Sequence, residues 1–125
     1  MIEDYNYYFE KYLKTLTKMR LSPDDYSSSK FNTRTHNRAI DQYKLLKNVM
    51  EENHDLADKV YSLLMEIDDV KVQFYAAANC LKLNLHVKRA EEILERMLQS
   101  NERWAVMIAD GVLNEWHSDM SGEIL

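Results

Sequence analysis

The side chains that could do chemistry in this sequence begin with its four histidines. A metal site on one helix needs two histidines four residues apart, and no pair in this sequence has that spacing (His36, His54, His86 and His117). Each of them fits a surface or helix-end position better than a ligand position. We therefore expect no metal site and no cofactor.

Nucleophilic residues lack an activating context. The run Ser27–Ser29 has no Gly-x-Ser-x-Gly pattern around it. Cys80 lies among alanines in an apolar segment, where a thiol packs as a small core side chain, and as the single cysteine it cannot form an intrachain disulfide. Carboxylate clusters fall at predicted helix junctions, where they cap helices. We therefore predict no catalytic residue and a non-enzymatic protein.

Composition predicts an all-α fold. The chain has 125 residues, of which 46% are hydrophobic and 30% charged, with two glycines and one proline. Glycine at positive φ or at a close backbone approach is needed in Rossmann units, phosphate-binding loops and many tight turns, so this scarcity argues against them. The sequence begins without a signal peptide and has no apolar segment of transmembrane length, so we expect a cytoplasmic protein and no membrane partner.

Charge is distributed unevenly along the chain. Residues 1–50 hold nine Lys or Arg against six Asp or Glu, whereas residues 51–125 hold seven against fifteen, and the net charge is −5. An acidic surface repels phosphate backbones and attracts basic partners. The sequence therefore favours a basic protein as partner and disfavours nucleic acid, although an acidic surplus also serves solubility alone.

Hydrophobic periodicity predicts about six helices. The first runs from Asp4 to Met19, and a polar, flexible connection over residues 21–35 leads to a second helix that Thr33 or Thr35 caps and that points Tyr43 inward. We assign residues 1–33 to an N-terminal helix and connection, and residues 34–125 to the main domain. In the fourth helix, capped by Asp69, two apolar rows require packing on two sides (Val72, Ala76 and Cys80; Phe74, Ala77 and Leu81). A sixth helix ends near His117, and Gly111 within it predicts a close crossing by a neighbour.

Helices three to six form two predicted hairpins whose starts lie about thirty residues apart, a period typical of helical solenoids. The segment from Leu63 through Asp69 to Ala78 resembles a HEAT repeat, and it departs from the repeat at Gln73, where arginine is usual. With His36-Asn37-Arg38, Ala90, Leu94 and Glu115-Trp116, residues 34–118 resemble a bacterial HEAT-like family catalogued as a domain of unknown function. The resemblance implies antiparallel helical hairpins and no particular chemistry.

Two polar stripes on the second helices of these hairpins predict a partner-binding surface. If those helices lie side by side, the stripes join into one strip with Tyr75 and Met107 as apolar anchors. The members are Lys71, Tyr75, Asn79 and Lys82 on one helix, and Arg103, Met107, Asp110, Asn114 and His117 on the other. The alternative is that both stripes are ordinary solvated faces.

Three functional hypotheses follow from the sequence. The first is a cytoplasmic protein-binding module, and within that class an immunity or antitoxin-like protein that neutralises a basic toxin domain. The second is a HEAT-like nucleic-acid-binding or base-processing protein, supported by Tyr75 with Trp104 and by the basic N-terminal half. The third is a structural module that forms homo-oligomers through its tyrosine-rich first helix.

Overall fold

A computed structural model describes residues 4–28 and 32–124, with side chains described as far as residue 118. Within these ranges the chain is all-helical, which confirms the predicted all-α class. No helix among the described residues is both long and apolar enough to cross a membrane. The described residues form seven helices, which are α1 (Tyr5–Thr17), α2 (Pro23–Ser27), α3 (Thr33–Glu52), α4 (His54–Met65), α5 (Val70–Leu83), α6 (Val87–Met97) and α7 (Arg103–Ile124).

Helix α5 lies at the centre of the core and contacts α1, α4, α6 and α7. Both predicted apolar rows are buried (Val72, Ala76 and Cys80; Phe74, Ala77 and Leu81). The predicted cap is also confirmed, because Asp69 Oδ1 accepts a hydrogen bond from the backbone N–H of Val72 at 3.2 Å. Burial raises the pKa of the Cys80 thiol to about 12, which keeps it protonated at neutral pH.

Helices α4 and α5 pack against each other, as do α6 and α7, and α5 joins the two pairs through its contact with α6. Gln73, which stands where a HEAT repeat usually has arginine, donates a hydrogen bond from Nε2 to the Met65 carbonyl at 3.2 Å. It therefore ties α5 back to the end of α4. The HEAT-like arrangement and the family resemblance stay predictions.

Helix α1 shares the core with the rest of the chain. It packs on α3, α4 and α5, and Tyr12, Leu16 and the adjoining Met19 are fully buried. The sequence analysis predicted this helix but assigned it to a segment before residue 34. The domain boundary at residue 34 stays a prediction. In the structure, one apolar cluster includes residues from both sides of it.

A buried tyrosine pair fixes α1 on α4. The hydroxyls of Tyr12 and Tyr61 hydrogen-bond at 3.0 Å, and their rings meet edge to face with centroids 5.5 Å apart. The side chains are 0% and 1% exposed, so neither hydroxyl can exchange its partner for water. Burial raises the pKa of both phenols.

The connection before α3 contains a short helix that the sequence analysis missed. Ser22 and Asp25 form a capping box around α2, with Pro23 in the first helical turn. Asp25 Oδ2 also accepts the backbone N–H groups of Leu21 and Ser22. The expectation of a flexible, irregular connection was therefore wrong for residues 23–27, because five residues are too few to show helical periodicity.

The start of α3 also differs from the prediction. Asn32, rather than Thr33 or Thr35, caps the helix by accepting the Thr35 N–H at 2.9 Å. His36 Nδ1, one turn further, accepts the Arg20 backbone N–H at 3.0 Å and so links α3 to the end of α1. Burial, and then the Arg20 charge, lower the pKa of His36.

Helix α7 corrects two further expectations. It continues to Ile124, beyond the predicted end near His117. Gly111 is exposed, and a methyl group built there meets no atom within 4 Å outside its own chain neighbours and helix backbone. The close crossing predicted at Gly111 is therefore wrong among the residues that the structure describes.

The tyrosine pair makes a testable prediction. Tyr12→Phe should lower the free energy of unfolding by about 1–3 kcal/mol, because it leaves the Tyr61 hydroxyl buried without a partner. Tyr61→Phe should cause a similar loss, because it leaves the Tyr12 hydroxyl buried without a partner. The double variant should recover most of the loss, since no polar group is then left unpaired. Urea unfolding of the four proteins measures the coupling, and simple additivity of the two losses would contradict this account.

Gly111→Ala should stabilise the protein by about 1 kcal/mol, since alanine restricts the unfolded chain and meets open space in the helix. For a chain of this size that corresponds to a rise in Tm of about 4 °C, measured by circular dichroism. Met107→Ala, a change at an exposed site on the same helix, is the control and should stay within about 0.5 kcal/mol. A lower Tm for Gly111→Ala would show that a neighbour occupies the space.

Candidate partner-binding groove

An open groove of about 420 Å³ lies between α3, α5 and α7. We call it the aromatic groove, because its apolar lining is mainly aromatic (Tyr43 from α3; Phe74, Tyr75 and Leu81 from α5; Val112 and Trp116 from α7). The volume falls in the range of binding pockets. Three helices far apart in sequence therefore build one concave apolar surface.

The aromatic groove continues a chain of edge-to-face ring contacts that begins in the core. Tyr12 contacts Tyr43 with centroids 6.0 Å apart, Tyr43 contacts Tyr75 at 5.3 Å, and Tyr75 contacts Phe74 at 5.4 Å. Such contacts stabilise ring orientation beyond simple burial. The rings in the groove are thus held in place before any partner arrives.

Asn79 holds the polar part of the aromatic groove. Its buried amide Nδ2 donates to the Tyr43 hydroxyl at 2.9 Å and to the Tyr75 carbonyl at 2.8 Å. Burial raises the pKa of Tyr43, and burial followed by the neighbouring Tyr43 raises the pKa of Tyr75 to about 12. Both phenols are therefore neutral at physiological pH and act as hydrogen-bonding groups rather than bases.

The rim of the aromatic groove carries charges of both signs. Exposed Lys82 lies on the α5 side and exposed Glu115 on the α7 side. Lys47 Nζ lies 5.3 Å from the centroid of the Tyr43 ring, and burial, followed by the charge of Lys82, lowers the pKa of Lys47. Apolar surface with a charged rim is typical of protein interfaces.

Three of the four predicted α5 residues line this groove: Tyr75, Asn79 and Lys82. Lys71 does not. Its Nζ donates to the carbonyls of Met19 at 2.7 Å and Thr17 at 3.3 Å, lies 3.6 Å from Asp25 Oδ2, and its side chain is 12% exposed. The lysine therefore joins α5 to the end of α1 and to α2.

The predicted α7 residues lie on another side of that helix. Arg103, Met107, Asp110, Asn114 and His117 are all exposed, Met107 at 64%, but none lines the aromatic groove. Asn114 donates to Asp110 at 3.2 Å, and His117 Nε2 lies 3.7 Å from Glu91 on α6. The structure thus does not join the two stripes into one strip. Val112, which lines the aromatic groove, is two residues away from both Asp110 and Asn114. Two residues correspond to about 200° around an α-helix, so Asp110 and Asn114 lie on the side away from the groove.

The sequence analysis did not assign Tyr43 and Trp116 to a binding surface, and it paired Tyr75 with Trp104, which lies in another groove. Tyr43 was assigned to the core and Trp116 only to the closing motif, although an aromatic at the edge of an amphipathic stripe is a signal of partial exposure. Trp104, paired with Tyr75 in the nucleic-acid hypothesis, lines a different groove together with Lys71 and Leu21. Among the side chains the structure describes, no three His, Cys, Asp or Glu residues are arranged to hold a metal ion.

The different roles of two lysines on α5 can be tested. Lys71→Met keeps the aliphatic stem but removes the donors to two carbonyls, so it should lower the free energy of unfolding by about 2 kcal/mol. Lys82→Met, the matched control on the same helix, should change it by less than about 0.5 kcal/mol because Lys82 is exposed. Urea unfolding measures both, and equal losses would contradict the assignment.

Comparison of the chain with protein-family models, with curated proteins and with solved structures found no match in any of the three, so the aromatic groove is the basis for a functional assignment.

Proposed function

We propose that this protein is a non-enzymatic, cytoplasmic protein-binding module that takes apolar side chains of a partner into the aromatic groove. The observation that carries the proposal is an open groove with a charged rim, in which ring contacts order Tyr43 and Tyr75 and which Trp116 also lines. Aromatic side chains at the centre of an interface contribute most of the binding energy, because they bury a large area with little loss of conformational entropy.

The ionisable groups near the groove support a binding role over catalysis. A general base works best with a pKa near the working pH. The pKa values of Tyr43 and Tyr75 are raised away from neutrality, and the thiol of Cys80 is buried and protonated. Each group is set up to stay neutral.

Charge supports a basic partner. Residues 51–125, which begin in the last turn of α3 and include α4 to α7, hold fifteen Asp or Glu against seven Lys or Arg. Such a surface steers a positively charged protein toward it and accelerates association. Within the class of binding modules, an immunity or antitoxin-like protein that neutralises a basic toxin domain fits this charge and the small size.

Site-specific photo-crosslinking in the native host tests the proposal. A benzophenone amino acid replaces Lys82 at the rim of the aromatic groove, and in the matched control it replaces Lys88, which is exposed on α6 outside the groove. We expect a covalent adduct with one basic protein from position 82 and at least tenfold less from position 88. Trp116→Ala, added to the position-82 protein, should reduce the adduct by a similar factor.

The outcomes separate the alternatives. Equal adducts from positions 82 and 88, or an acidic partner, would contradict the proposal. An adduct of the protein with itself would favour the homo-oligomeric module, and the mass in solution with and without residues 1–30 would then decide it. A third outcome is that no protein adduct forms and the purified protein retains a small molecule. If Trp116→Ala abolishes that retention, the groove binds a small-molecule ligand instead.

A further inference from the structure

A second groove, of about 530 Å³, lies between α1 and α3 on a different part of the surface. We call it the basic groove. Its charged lining residues are Lys11 and Lys14 from α1, Lys18 at the C-cap of α1, and Arg38 from α3, and no carboxylate of a described residue lines it. Thr35 and Gln42 add polar side chains from α3. Four cations therefore line one concave surface of a protein whose net charge is −5.

The positive charge of the basic groove is not neutralised within the described part of the chain. None of the ion pairs between described side chains involves these four residues. Glu10 and Asp41 lie on the same helices but outside the lining. Lys71, by contrast, lies against Asp25 and backbone carbonyls. The basic groove thus presents cations that remain available to an external anion.

The spacing of these cations suits a chain of anions. Lys11, Lys14 and Lys18 follow each other at three and four residues along α1 and its helical C-cap, which places them in a row about 10 Å long on one face. Arg38 stands on the opposite wall. A single phosphate could contact only part of such a row, whereas a phosphodiester backbone presents one negative charge per nucleotide along its length.

An exposed aromatic ring extends the row. Tyr7, one turn before Lys11, is 54% exposed. Lys11 Nζ donates to its hydroxyl at 3.1 Å and lies 5.3 Å from its ring centroid. Proteins that bind single-stranded nucleic acid combine a basic groove along the backbone with aromatic faces on which bases stack. An acidic peptide would pair with the cations, but its carboxylate side chains have no aromatic face to stack on Tyr7.

We propose that the basic groove binds single-stranded nucleic acid, with phosphates along Lys11, Lys14, Lys18 and Arg38 and a base stacked on Tyr7. The bases of a duplex are already paired and stacked on one another, so stacking on Tyr7 favours a single strand. Helix α3 carries Tyr43 toward the aromatic groove and Arg38 toward the basic groove. The two sites are therefore distinct and can be tested separately.

Fluorescence anisotropy with labelled twelve-nucleotide poly-dT tests this proposal on the whole chain. With four phosphate contacts, the slope of log K against log salt concentration should be about −3, so affinity should fall roughly 50-fold between 50 and 200 mM salt. Lys14→Gln/Lys18→Gln should halve that slope and weaken binding at 50 mM salt at least tenfold. Tyr7→Ser should weaken binding roughly tenfold without changing the slope, because stacking releases no counterions.

The matched control is Lys88→Gln/Arg96→Gln on α6, which lowers the net charge by the same two units outside the basic groove. It should bind like the original protein. Equal weakening by both double variants would show a general charge effect and overturn the proposal. Undetectable binding at 25 mM salt would overturn the proposal. It would also be overturned if polyglutamate displaced the labelled oligonucleotide as effectively, per negative charge, as unlabelled oligonucleotide does. None of these results depends on the groove between α3, α5 and α7.

Discussion

The burial of α5 is the constraint on which the rest of this structure depends. A helix that is apolar on two sides gains free energy only if both are covered, and α1, α4, α6 and α7 cover it. The small side chains of Ala76 and Ala77 on α5 allow neighbouring helices to approach closely. Each of these four helices therefore presents apolar side chains to α5.

Tyrosines connect that core to the surface. The hydroxyls of Tyr12 and Tyr61 satisfy each other in the interior, and ring contacts continue through Tyr43 to Tyr75 in the aromatic groove. A fully buried phenol needs a specific partner, which makes the packing of α1 on α4 directional. Ring contacts also order Tyr43 and Tyr75 in the aromatic groove, which would lower the entropic cost of the binding that we propose there.

Charge distinguishes the two grooves, because the charged side chains that line the basic groove are all cationic among the described residues, whereas the rim of the aromatic groove carries both signs. Cations from α1 and α3 line one groove, whereas the acidic surplus belongs to residues 51–125. A charge distribution of this kind orients approaching molecules before contact. Our proposals use this distribution: the acidic surplus of residues 51–125 attracts a basic protein, and the basic groove binds a phosphodiester chain.

Sequence patterns determined the features that depend on neighbours along the chain. Periodicity identified the all-α class and both buried rows of α5, and local chemistry identified Asp69 as its cap. The short α2 and the cap at Asn32 were missed because each depends on a few polar atoms with no periodic signal.

Only the tertiary structure decided which faces meet. Lys71 was predicted to bind a partner and instead holds the end of α1, and α7 turns Val112 and Trp116, rather than Asp110 and Asn114, toward α5. Amphipathicity defines the inner side of a helix, but the angle at which two helices cross depends on side chains distant in sequence. The groove residues could therefore be predicted for α5 and not for α7.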